Sequence, residues 1–167
     1  MHRIVRTTVL AAAAFFATAG AALAAAGGCH TYSGDFTAVA PPPDQCSSPF
    51  GICTHGTLVG DFPSTYDFAV ETLVPDPANP LHLLYTGHST ITTTQGAVMH
   101  GSDSGFMDLN PPYFTTANFV TTVQIVGGTR QYAHATGEFV APGVLNLAAG
   151  DTVGTYSATI CLGVGAQ

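Results

Sequence analysis

The chain has no tryptophan and no lysine, and only 8% of its 167 residues are charged. Its cations are Arg3, Arg6 and Arg130 and no others. So few positive charges leave no basic surface for phosphate backbones or anionic headgroups, which excludes a nucleic-acid binder. The same shortage excludes a coiled coil and a charge-driven disordered tail, both of which depend on abundant charged residues. Without lysine there is no Schiff-base chemistry and no lysine general base.

What is present begins with a leader. Met1–Arg6 carries two arginines, Thr7–Ala19 is apolar, and Ala22-Leu23-Ala24 is a small-x-small cleavage signal. These are the three parts of a secretory signal peptide. The apolar part falls short of the roughly 20 residues of a spanning helix, and no later run reaches that length, so no stable membrane insertion is expected. Residues 1–26 are therefore expected to be removed, leaving one domain over 27–167 that is secreted to the extracellular space or cell envelope. That domain would carry one arginine against ten acids, a formal charge of −9 in place of −7.

Export changes the meaning of the four cysteines, an even set that predicts two disulfides with three connectivities to choose from. Cys46 and Cys53 bracket a short piece of a Pro-rich loop and are expected to pair. Cys29 and Cys161 would then join the first strand to the last. A lipidated Cys29 would need a large aliphatic residue three positions upstream, where Ala26 stands, and would leave an odd thiol. No C-x2-C knuckle is present to suggest zinc. With every thiol oxidised, no thiolate nucleophile remains.

Beyond the leader no segment keeps an apolar period of 3.6. Thr, Val, Tyr and Phe alternate instead in runs punctuated by Gly, Pro, Asn and Asp, which is an all-β pattern. Eight strands are predicted over residues 29–39, 54–62, 65–74, 81–94, 97–110, 114–126, 137–147 and 152–162. Most connections are short, so successive strands should pair as antiparallel hairpins. An eight-stranded up-and-down barrel follows, with a two-sheet sandwich as the alternative that strand patterns leave open.

The stretch Gly127-Gly128-Thr129-Arg130-Gln131-Tyr132-Ala133-His134-Ala135-Thr136-Gly137 resembles the G-T-G-[RK]-[FY]-x-G-A-x-G signature of the allene oxide cyclase barrel-like superfamily, which includes the dirigent proteins. Gly154-Thr155-Tyr156-Ser157-Ala158-Thr159-Ile160-Cys161 is similar to the ending of related secreted bacterial chains, and Tyr85–Thr93 resembles the family's middle hairpin. The resemblance spans most of residues 54–162. Arg130 and His134 stand where the signature has glycine, and Gln131 where it has a basic residue. The likeness implies an eight-stranded barrel with a lumen, and in the enzyme members a cavity where a reactive apolar substrate is cyclised or coupled. It assigns no catalytic residue to this chain.

The residues themselves offer weak candidates for chemistry: Arg130, Glu71, His88 and His100. Asp67 and Glu71 share a strand face but stand about 13 Å apart, beyond a glycosidase carboxyl pair. The Asp67, Ala69, Glu71 face is expected to be solvated, with Tyr66, Phe68 and Val70 turned to the core. His82 and His88 share a face at about 20 Å, too far for one metal, and a metal would need His100 or Asp103 from a neighbouring strand. His30 and His55 flank disulfide ends. Arg130 could bind a carboxylate or polarise a carbonyl, its plainer role being an ion pair with Glu138 at the turn. Pro111-Pro112-Tyr113-Phe114 and Tyr132 would supply aromatic rims. No cofactor and no metal are expected, and the oligomeric state is open. Three functions remain: a barrel binding a small hydrophobic molecule, a cofactor-free cyclase or isomerase, and a cell-surface or matrix scaffold. An enzyme needs a cavity on the order of 300 Å3 with convergent perturbed groups, a binder an apolar cavity without them, and a scaffold a filled lumen.

Overall fold

The computed structural model describes residues 28–163, so the predicted signal peptide lies outside the described residues. Eight strands follow in order: β1 (Cys29–Val39), β2 (Cys53–Gly60), β3 (Ser64–Asp76), β4 (Asn79–Thr93), β5 (Val98–Leu109), β6 (Thr116–Gly128), β7 (Thr136–Asn146) and β8 (Asp151–Cys161). Each pairs antiparallel with its sequence neighbour, and β1 pairs with β8 from Cys29↔Cys161 to Val39↔Asp151, closing the sheet. The sandwich alternative is thereby excluded, and closure removes the edges that would otherwise recruit another chain. Among the described residues no helix is long and apolar enough to cross a membrane.

Both expected disulfides form. Cys29 and Cys161 are direct cross-strand partners with Cα atoms 3.9 Å apart, and Cys46–Cys53 ties the loop between β1 and β2 with a Cα separation of 5.5 Å. Strand ends fall within two residues of the sequence reading, the start of β6 among the larger shifts. Phe114 lies at φ 54°, a left-handed conformation no strand accepts, so pairing begins at Thr116. The signature-like turn also departs from ordinary backbone: Arg130, standing where the related motif has glycine, lies at φ 54° and begins a single 3-10 turn, Arg130–Tyr132. A left-handed arginine costs roughly 1–2 kcal/mol that glycine would not.

Alternation along each strand sorts the faces. On β5, Met99, Gly101, Asp103 and Met107 are buried, while His100, Ser102 and Ser104 are exposed. One core cluster, around Phe36, Phe62, Met99, Phe139, Tyr156 and Ile160, fills the end that carries Cys29–Cys161. A smaller one, Val70, Tyr85, Met107 and Ala117, lies toward the end with the disulfide loop. Tyr66, Phe68 and Val70 point inward as the alternation requires. Ala69, expected on the solvated face with Asp67 and Glu71, is buried instead, paired with the equally buried Cys53.

Candidate functional site

An eight-stranded barrel is just wide enough for its inward side chains to fill it. Here a set of glycines alters that outcome. Tyr66 is paired with Gly56, Tyr85 with Gly105, Phe119 with Gly143, and Phe36 and Tyr156 with Gly154 and Gly34. A methyl group on Gly56 would lie 2.6 Å from a Tyr66 ring carbon, and one on Gly105 or Gly143 would lie 2.7 Å from Cζ of Tyr85 or Phe119. Each ring therefore occupies the space a neighbour's side chain would have taken, and Phe68 does the same over Gly87. Rings laid along the wall leave the axis open. A cavity of about 100 Å3 remains, bounded by these rings and by Leu58, Ile91, Met107 and Leu145.

Few polar atoms reach this space. The Tyr85 hydroxyl is 2.6 Å from Thr121 Oγ1, and burial pushes the Tyr85 phenol up to about 12, so it stays protonated at any ordinary pH. Burial also raises the Tyr66 phenol. The Tyr156 hydroxyl accepts a hydrogen bond from the Phe62 amide at 3.1 Å, closing the far end. Thr152 lines the cavity at 5% exposure, and its Oγ1 has no hydrogen-bond partner among the described residues. An orphaned buried hydroxyl is uncommon and calls for a reason.

Ser89 also faces the cavity, and its hydroxyl donates to Asp103 Oδ2 at 2.7 Å. Asp103, 2% exposed, stands in the wall behind it with Oδ1 unpartnered among the described residues. Desolvation raises this carboxyl to about 6, against the opposing pull of the Ser89 hydrogen bond. The acid is surrounded by inward glycines: Gly101 and Gly105 flank it on β5 and Gly87 faces it from β4. Phe68, Tyr85 and Val123 lie over those glycines, leaving Ser89 as the polar link between the carboxyl and the cavity.

None of the residues proposed from the sequence as catalytic or metal-binding lines the cavity. Glu71 and His88 pair on the outer wall at 3.0 Å, with His55–Asp67 and His82–Asp108 each at 2.6 Å. His100 is exposed on β5. Arg130 is exposed on the β6–β7 turn, donating from Nη1 to the Gln95 carbonyl at 2.5 Å, while Glu138 meets Gln124 rather than Arg130. No three His, Cys, Asp or Glu side chains of the described residues converge as metal ligands would. Asp103 entered the sequence reading only as a metal partner, and Ser89, Thr121 and Thr152 not at all. The available signal was phase: Asp103 alternates with Met99 and Met107, an acid on an apolar face.

No family model and no curated protein matches the chain. Among solved structures it is similar to a pterocarpan synthase dirigent protein at 14% identity and a TM-score of 0.32, over 96% of this chain and 97% of that one. A likeness of that degree adds nothing to the barrel closure observed directly.

Proposed function

We propose that this chain is a secreted binding protein whose barrel holds one small hydrophobic molecule in its lumen. The observation that carries the reading is the cavity of about 100 Å3, walled by aromatic rings and containing the unpartnered Thr152 hydroxyl. Engineered apolar cavities of about 150 Å3 stay dry and take up benzene or xenon. The guest's buried part is correspondingly compact, well under the 300 Å3 at which drug-sized sites begin. Two disulfides suit an extracellular setting.

Xenon titration followed by methyl NMR tests the reading. Shifts confined to Val70, Ile91, Met107 and Leu145, and abolished by Ala141→Leu on the cavity wall, are expected. Absent or surface-scattered shifts would overturn it and leave the scaffold reading in its place.

A second reading, the cofactor-free isomerase or cyclase, has buried Asp103 in its favour and the cavity of about 100 Å3 against it. The Asp103 carboxyl could pass a proton to a guest through the Ser89 hydroxyl. That reading requires Asp103→Asn to abolish turnover of a bound substrate while leaving xenon uptake intact.

A further inference from the structure

We propose that the guest of this lumen is a small organic cation, a compact alkylammonium held among aromatic rings with its charge set against Asp103 across Ser89. The inference rests on the lumen being a binding site, and three observations lead from there to the charge of the guest.

The first is an unmatched charge. Asp67, Asp108 and Glu71 each meet an imidazole, Asp61 accepts from Ser33, and Glu138 accepts from Gln124. Asp103 is the buried one, yet it has a single side-chain donor and an orphaned Oδ1. Buried carboxylates are ordinarily paired with a cation or protonated. The one arginine among the described residues is spent on the Gln95 carbonyl, and the nearby His88 stands on the outer wall already paired with Glu71, so among the described residues Asp103 has no cation in direct contact.

The second is the wall. Phe68, Phe119, Tyr66 and Tyr85 line the cavity with their rings, and aromatic rings attract ammonium groups more strongly where water is excluded. Their phenols, held neutral by burial, add no competing negative charge. The third is the field of the whole molecule, whose formal charge of −7 over the full chain, and −9 over residues 27–167, draws cations in and turns anions away. An anionic guest would bring a second negative charge toward the carboxyl behind Ser89, and a neutral one would leave that carboxyl unmatched.

A matched pair of probes tests this: tert-butylammonium and tert-butanol, equal in size and differing in charge, titrated in 150 mM salt and followed by methyl NMR. At pH 8 the ammonium is expected to bind at least 10-fold more tightly, with shifts at Ile91, Met107 and Val123. At pH 5, where Asp103 takes up a proton, the preference should collapse. Glu71 and His88, titratable groups on the outer side of the same wall, also act on Asp103, and Tyr85 lies beside it within the wall. Asp103→Asn measured at both pH values subtracts their contribution and should show no preference at either. The wild-type pH comparison decides the matter if that variant fails to fold. Equal binding of the two probes would overturn the inference and leave the lumen reading intact. So would ammonium shifts confined to the exposed His–carboxylate pairs, or exclusion of both probes from a lumen that takes up xenon. Exclusion of xenon as well would overturn both.

Discussion

Replacing Asp103 with asparagine isolates the electrostatic cost of the buried acid. In the folded chain the carboxyl keeps its proton up to about pH 6, whereas the unfolded chain releases it near 3.8. Between those values the native state binds more protons than the unfolded state, so stability falls as pH rises and is level on either side. The interval of about two pH units corresponds to about 3 kcal/mol at 1.36 kcal/mol per unit. Asp103→Asn keeps the shape and can still accept from Ser89, but it cannot ionise. Urea unfolding of both proteins at half-unit steps from pH 3.5 to 8 should therefore show the variant gaining about 3 kcal/mol on the wild type as pH rises, with most of the change between pH 4 and 6. Groups remote from residue 103 cancel in the difference, leaving the effect of Asp103 and its coupling to the nearby His88 and Glu71. A flat difference would mean that Asp103 is not desolvated as its 2% exposure indicates. A difference of opposite sign would mean that its carboxylate is paired in the folded chain, and either result refutes the reasoning.

Thr152→Val removes a buried hydroxyl that has no partner, and the variant should be more stable by about 1 kcal/mol in urea unfolding; a loss of stability would show that the hydroxyl is satisfied. Gly105→Ala drives a methyl toward the Tyr85 ring and the Val120 carbonyl, and should cost about 2 kcal/mol or more; a neutral result would show that the ring can retreat into the lumen. The two bridges close loops of very different span, 132 and 7 residues. Chain-entropy arguments then predict a loss of about 5 kcal/mol for Cys29→Ser/Cys161→Ser and about 2 kcal/mol for Cys46→Ser/Cys53→Ser, comparable losses counting against that account.

Strand number, order and closure were legible because the signals are local: alternation marks each strand, and Gly, Pro, Asn and Asp mark each turn. Short connectors then leave antiparallel neighbours as the economical arrangement, and the Cys29–Cys161 pairing brings the two ends together. The structure departs from simple expectation where a residue's usual preference is overruled. Phe114 reads as a strand former but sits left-handed in a loop, and Arg130 occupies a conformation that glycine takes more cheaply. Ala69 was placed on the solvated side by phase alone, although its partner Cys53 is buried with it.

The site was less legible because what creates it is a relation between strands. A glycine taken alone weakens a strand and suggests a bend or bulge. Gly56, Gly105 and Gly143 look alike in that respect until register sets each against Tyr66, Tyr85 or Phe119. Paired in this way, a missing side chain becomes the berth for a ring, and a ring in its berth no longer projects to the barrel axis. The same device accounts for the exposure of Asp103 to so little water. Gly87, Gly101 and Gly105 surround it with inward positions that carry no side chain of their own, and Phe68, Val123 and Tyr85 cover them. The empty axis and the sealed acid thus share one cause, and the cavity could be closed by enlarging a glycine's neighbourhood without touching any residue that carries charge.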